Sequence, residues 1–304
     1  MSLDLDLAQL AALRAAVSEG TFEAAARSLH ITPSAISQRI KALEATVGRV
    51  LLQRSRPVVP TESGRALLSL AHQIEVLSAD LVHTLNLESG DDPAADPASP
   101  LRPAHRIPMP LAVNADSLAT WILPALSRLG DRIAFELHRE DQAHTTSLLR
   151  EGTVMAAITG EAAPVQGCSS TLLGAMRYRA VATRDFVADW FPDGVTAEAL
   201  GRAPVVVFDR RDDLQDAFLR GKGASPGAAR HFVPSSSDFV SAVRLGFGWG
   251  MVPDLQRDGA PELVELGPDG IIDVPLYWQQ WQLRTPSLEL VAAALKHAAA
   301  DSLR

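Results

Sequence analysis

The sequence predicts an α+β multidomain chain: a small helical head closed by a β-hairpin, one long helix, and a large α/β tail. Three observations carry that prediction. Apolar residues recur at intervals of three and four up to Val47, and the same spacing resumes without a break after Thr61. Beyond a proline-rich interval, short β-like runs alternate with helical ones. At 304 residues and 47% hydrophobic content, the chain can build two or three cores.

In the head, Leu3, Leu7, Leu10, Leu13 and Val17 mark a first helix that Glu19-Gly20 interrupts. Thr21 offers an N-cap hydroxyl to a second helix, where Phe22, Ala25, Ala26 and Leu29 form the inward stripe. Thr32-Pro33 then supplies an N-cap and a first-turn proline for a third. At ~100° per residue, its Ile36, Ile40, Leu43 and Val47 share one face and Ser34, Ser37, Gln38 and Lys41 the opposite one. Two helices joined by a short turn, the second presenting small polar side chains, form a helix-turn-helix that enters the major groove of duplex DNA.

Ser34, Ser37 and Gln38 are the candidates for base edges, and Lys41 reaches guanine or phosphate. Thr32 stands at the same helix start, and Arg39, on the flank, suits a phosphate. After Gly48, RVLLQRSRPVVPT reads as two extended runs around a basic tip, a β-wing whose Arg54 and Arg56 lie against the backbone or in the minor groove. A plain three-helix bundle with a solvated face would share this pattern, but charge argues against it. Residues 27–56 carry six basic residues against Glu44 alone, although the whole chain is at −8.

The stretch AAARSLHITPSAISQRIKALEATVGRVLLQRSRPVVPTESG resembles the winged helix-turn-helix of LysR-type transcriptional regulators. It departs from the common pattern at Leu52, where many members carry phenylalanine, with only a packing consequence expected. The expected domains are therefore 1–61 for the winged helix-turn-helix, 62–88 for a linker helix, 89–106 for a flexible linker and 107–304 for an effector-binding half. In the linker helix, Leu67, Leu70, Ile74, Leu77 and Leu81 form a heptad seam with nothing obvious of its own chain to cover it, so self-pairing into a homodimer is the economical reading. Residues 89–110 hold six prolines and no periodicity.

The tail's alternation argues for α/β units on a largely parallel sheet. It resembles the periplasmic-binding-protein-like effector domain of LysR-type regulators. That resemblance implies two subdomains around a cleft, subdomain I at 107–174 and 272–304 and subdomain II at 175–268. Ligands in such sheets sit at strand carboxyl ends, against helix N-termini. The first strand ends in Asn114-Ala115-Asp116-Ser117, with a helix expected to open after Ser117 and its free N–H groups suited to a carboxylate. Asp116, and Asp141 after the second strand, are anions beside that spot, which suits a ligand that also carries positive charge.

VNADSLATW, EDQAHTTSLLREG, LGAMRYRAVAT, GWGMVP and VPLYWQQW look more specifically like the ArgP/LysG (IciA-type) branch. That branch responds to L-lysine or L-arginine and commonly controls export of basic amino acids. The likeness implies an effector pocket of Asn114, Asp116, Ser117, Thr120, Trp121 and Asp141, with Asp209 and Asp238 facing from the other subdomain. Alternative roles are a plain N-cap for Ser117, plain core for Trp121, and surface or capping roles for Asp209 and Asp238. The implied partners are promoter DNA, a basic amino acid and a second copy of the chain, with a tetramer and RNA polymerase as further candidates.

Rival classes are a helix-turn-helix enzyme, a nucleoid-type protein without effector, and a LysR-type regulator of another small-molecule pathway. No G-x-S-x-G, H-E-x-x-H, P-loop or G-x-G-x-x-G occurs, so no catalysis and no cofactor are expected. Cys168, the sole cysteine, excludes intramolecular disulfides and reads as a small buried side chain; the histidines show no metal-ligand spacing. Without a long apolar span or signal-peptide pattern, a cytoplasmic protein is expected.

Overall fold

The computed structural model describes residues 4–53, 55–88, 106–139, 142–225, 229–282 and 285–304. The head contains α1 (Leu7–Ser18), α2 (Phe22–Ser28) and α3 (Pro33–Val47), followed by the antiparallel pair β1 (Leu52–Gln53) and β2 (Val59–Pro60). Caps set these limits. Thr21 Oγ1 accepts from the Ala24 N–H and Thr32 Oγ1 from the Ala35 N–H, and Gly48 at φ +70° closes α3 in the left-handed conformation. Leu10, Leu13, Ala26, Ile36, Ile40, Leu43 and Leu51 are buried together as the head's core.

Next comes α4 (Glu62–Glu88), a 27-residue helix of about 40 Å. Thr61 Oγ1 caps it by accepting from the Gly64 N–H while donating to the Val50 carbonyl. A Cβ on Gly64 would stand 2.0 Å from the Leu51 carbonyl oxygen, so only glycine lets the wing and helix approach this closely. The expectation that α4 lacks partners in its own chain is corrected. Leu67, Leu68 and Ala71 lie in the head's core, whereas Val76 lies in the tail's core. Arg14 pairs with Glu75 at 2.9 Å, and Asp80 accepts from the Ser287 hydroxyl and backbone N–H. Leu77, Leu81, Val82 and Leu85 remain exposed, Leu81 at 58%. The expected flexible linker, save residue 106, lies outside the described residues.

The tail runs β3 (Ile107–Val113), α5 (Ala115–Ser117), a π-helical turn (Leu118–Ile122), α6 (Leu123–Ser127), β4 (Ile133–Arg139), α7 (Gln142–Arg150), β5 (Ala156–Thr159) and β6 (Cys168–Thr183). It continues through α8 (Arg184–Trp190), α9 (Ala197–Arg202), β7 (Val205–Val207), α10 (Leu214–Gly221), β8 (Arg230–Phe232), α11 (Ser236–Arg244) and β9 (Gly250–Pro253). It ends with α12 (Asp254–Arg257), β10 (Leu263–Glu265), β11 (Ile271–Trp281) and α13 (Pro286–Ser302).

The main sheet has the order β10-β6-β11-β5-β3-β4, with β9 on the other edge of β6. The pairs β3–β4, β3–β5 and β7–β8 are parallel, but β6 pairs antiparallel with β9, β10 and β11. The sheet is therefore mixed rather than largely parallel. The long strands β6 and β11 run between a first lobe, built on β3–β5, and a second, built on β7–β9. The boundary expected at residue 174 falls inside β6, at Gly174 (φ +141°), opposite a register shift between Leu276 and Tyr277. The largest core cluster continues across it through Met176, Tyr178 and Ala180. Among the described residues no helix is long and apolar enough to cross a membrane.

Candidate functional site

On the expected DNA face, α3 buries Ile36, Ile40 and Leu43 and exposes Ser34, Gln38 and Lys41, with Ser37 and Arg39 half-buried. Thr32 and Arg56 are exposed; Arg54 lies outside the described residues. Glu44, the one acid of this basic segment, accepts from the Leu51 N–H at 2.9 Å. Its charge is thereby tied to the root of the wing, and the exposed face stays basic and lightly polar.

The second site lies at the carboxyl end of β3. The helix there opens at Ala115, not after Ser117, because Asn114 is its N-cap: Asn114 Oδ1 accepts from the Ser117 N–H at 3.0 Å. Bonds in the following π-helical turn run to the fifth residue, and the Thr120 hydroxyl donates to the Asp116 carbonyl at 2.6 Å. Ser117 and Trp121 are buried. Among the described residues, neither the Ser117 hydroxyl nor the Trp121 indole N–H meets a protein partner. Buried polar groups in that condition call for a ligand or water.

Asp116 holds this corner to the rest of the tail. The Tyr178 hydroxyl of β6 donates to its Oδ2 at 2.7 Å, and the Ser236 hydroxyl, at the start of α11 in the second lobe, donates to its Oδ1 at 2.6 Å. Gln256 Nε2 donates in turn to Ser236 Oγ at 3.0 Å, which aims the serine proton at Asp116. Burial, and then the neighbouring Asp116 charge, push the Tyr178 phenol well above its ordinary range, so it stays a donor. One carboxylate thus joins the two lobes, and each of its oxygens retains acceptor capacity for a cation.

Comparison with known proteins agrees with this architecture. Residues 7–65 match the family described as bacterial regulatory helix-turn-helix protein, lysR family, and residues 110–300 match the LysR substrate binding domain. The chain belongs to the LysR family. It is 43% identical to the HTH-type transcriptional regulator ArgP of Pseudomonas aeruginosa over 96% of this chain and 94% of that one. It is 41% identical to the lysine export transcriptional regulatory protein LysG of Corynebacterium efficiens, over 95% and 96%. Among solved structures, full-length LysG from Corynebacterium glutamicum with bound effector Arg superposes with a TM-score of 0.74 at 37% identity, covering 99% of this chain and all 100% of that one.

Asp238, Asp209 and Trp121 of this LysR-family chain take up the alternative roles that its sequence left open for them. Asp238 is exposed on α11, two residues around the helix from Ser236, and it is Ser236 that faces Asp116. Asp209 Oδ1 accepts from the N–H groups of Arg211 and Asp212, a capping role within its own loop. Trp121 belongs to the tail's core, and Asp141 lies outside the described residues. Tyr178, Ser236 and Gln256 were missed. Two signals were available: Tyr178 lies within the quoted LGAMRYRAVAT segment, and Ser236 within the serine run at the start of α11, a strand-end position like that of Ser117. Cys168 is buried, and that burial pushes its thiol up to about 11, which disfavours the thiolate.

Proposed function

We propose that this protein is a transcriptional regulator that reads double-stranded DNA through α3 and the wing and senses a basic amino acid, L-lysine or L-arginine, in the cleft around Asp116. Its target is a gene for export of basic amino acids. The observation that carries this reading is the Asp116 carboxylate, shared between lobes beside a buried serine at a helix start whose hydroxyl has no partner among the described residues. An α-amino acid offers its ammonium to such a carboxylate and its carboxylate to such a helix start. The ArgP and LysG relatives, one described with arginine bound, support the same ligand class.

In this reading Ser34, Ser37 and Gln38 read bases, and Thr32, Arg39, Lys41, Arg54 and Arg56 hold the backbone. Asn114, Ser117 and Thr120 shape the pocket floor against Trp121. Asp141 adds a carboxylate after β4, while Asp209 and Asp238 are given no ligand contact. The exposed stripe Leu77, Leu81 and Leu85 is the homodimer seam, a tetramer forms through the tails, and RNA polymerase is met at the promoter. No reaction and no cofactor are assigned, and the protein works in the cytoplasm.

The test is thermal denaturation with L-lysine, L-arginine and L-norleucine, followed by gel shifts on the DNA flanking its own gene. A ligand at a hundred times its Kd stabilises by about 2.7 kcal/mol. Basic amino acids should raise Tm and change the shifted species, whereas no response to either basic amino acid would refute the reading.

A further inference from the structure

Many acids in the tail of this protein are paired with arginines. Arg177 holds Asp273, Arg179 holds Asp254 and Glu265, Arg220 holds Asp213, and Arg230 holds Asp216. Asp212, between β7 and α10, is treated differently. Its Oδ2 accepts from the Phe208 N–H and its Oδ1 from the Leu214 N–H, both at 3.1 Å. Among the described residues no lysine or arginine forms an ion pair with it. The Gln215 amide lies near enough to favour the carboxylate, yet among the described residues neither its nitrogen nor its oxygen makes a well-formed hydrogen bond, although Gln215 is 1% exposed. Burial pushes Asp212 above the usual carboxylate range, and the Asp116 charge adds to that; the Asp212 loop leaves the carboxyl end of β7, beside the parallel β8 whose own end leads to Ser236 and so to Asp116.

We propose that Asp212 is the receptor for the side-chain cation of the effector, and that it, with Gln215 beside it, makes this cleft select basic over neutral amino acids. The assignment rests on the reading of the cleft as an amino acid site. Asp116 and the helix start at Ser117 are neighbours in sequence, as the ammonium and carboxylate of an α-amino acid are neighbours in the ligand. The head group fits that wall. The distal ammonium or guanidinium then needs a second carboxylate within the field of the first, and Asp212 fills that description. A cation placed there relieves the repulsion from Asp116 and offers the unsatisfied Gln215 oxygen a donor, which a neutral chain end does not.

The experiment is calorimetric titration of the full chain and of Asp212→Asn with two matched pairs, L-lysine against L-norleucine and L-arginine against L-citrulline. The wild-type protein should prefer the charged member of each pair by about 10- to 100-fold, the range expected of a hydrogen-bonded buried charge. In Asp212→Asn that preference should fall to within about threefold, with affinity for the neutral member kept. Asp212→Ser, which retains a loop-capping oxygen, provides a second variant should the asparagine disturb residues 208–214. Equal loss of both members of a pair, or an undiminished preference, overturns the assignment. Loss of fold in both variants makes Asp212 a loop staple and also overturns it. A wild-type protein that binds none of the four refutes the amino acid reading itself, whereas binding without charge preference refutes Asp212 alone.

Discussion

Replacing Gly152 by alanine strikes the contact through which the linker helix and the sensory tail hold each other. Gly152 is buried at φ +71°, and its carbonyl accepts from the His72 ring on α4. A left-handed conformation costs an L-residue about 1 to 2 kcal/mol. The new Cβ would stand 2.3 Å from Ser69 Cβ and 2.4 Å from Ser69 Cα. Carbon atoms settle about 3.5 to 4 Å apart, so α4 must retreat by more than ~1 Å. That retreat breaks the His72 bond, worth about 1 kcal/mol, and loosens Val76 in the tail's core for about as much again. The total is about 3 to 4 kcal/mol, which for a chain of this size lowers Tm by roughly 5 to 10 °C. Urea and thermal denaturation measure the loss, and gel shifts with and without arginine show whether the tail still signals. The expected outcome is lowered stability, near-normal DNA affinity and a weakened arginine response. Wild-type Tm with a wild-type arginine response would refute the docking described for α4.

Alanine at Ser37 or Gln38 should cost about 1 to 3 kcal/mol of operator discrimination per lost base contact without changing arginine affinity, and Lys41→Ala should reduce the salt slope by about one. Competition gel shifts at several salt concentrations check both. Leu81→Glu places a charge in the exposed stripe of α4 and should dissociate the proposed homodimer in sedimentation while leaving far-UV helix content unchanged. Burial, the largest influence, holds His72 below its ordinary 6.5, so as pH falls through that value the unfolded chain takes up the proton first and stability drops. His72→Asn should be less stable at every pH but show a flatter decline between about pH 7.5 and 5.5, read from urea midpoints.

The head was legible because its determinants are local. Thr21, Thr32 and Thr61 are caps that announce themselves one residue before their helices, and Gly48 marks where α3 stops. Gly64 looked like motif only; its reason, the Leu51 carbonyl, appears once the wing has folded back. The tail's alternation announced strands and helices but not their mutual directions. The pairing of β6 with β11 joins segments such as Arg177 and Asp273, 96 residues apart, and nothing local encodes that choice. The site failed in the same way. Asp116 was found because it follows a strand beside a helix start, but Tyr178 and Ser236 reach it from 62 and 120 residues away. In Asp209-Arg210-Arg211-Asp212 two carboxylates serve one loop, and only folded geometry shows that Asp209 accepts from Arg211 and Asp212 while Asp212 spans Phe208 and Leu214 beside the buried Gln215.

That same geometry bears on how a ligand in the tail could be felt by the head. The segment joining α4 to β3 looked like a flexible tether, and a tether transmits little. The helix offers a stiffer route, since one unbroken α4 enters the head's core at Leu67 and Leu68 and the tail's core at Val76. It is pinned to the first lobe twice more, by His72 on Gly152 and by Asp80 on the start of α13. The second lobe reaches Asp116 through Ser236, so a cation that competes for Asp116 alters the tie between lobes while α4 stays fixed to the first. An effector biases this arrangement only by its difference in affinity between the two lobe positions, at about 1.4 kcal/mol per tenfold preference. Ser236→Ala separates the two roles of Asp116. It removes the inter-lobe bond and leaves the carboxylate free for the ligand, so arginine should still bind while its effect on the DNA complex shrinks. A variant that binds arginine and responds in full would show that the Asp116–Ser236 bond takes no part in the relay.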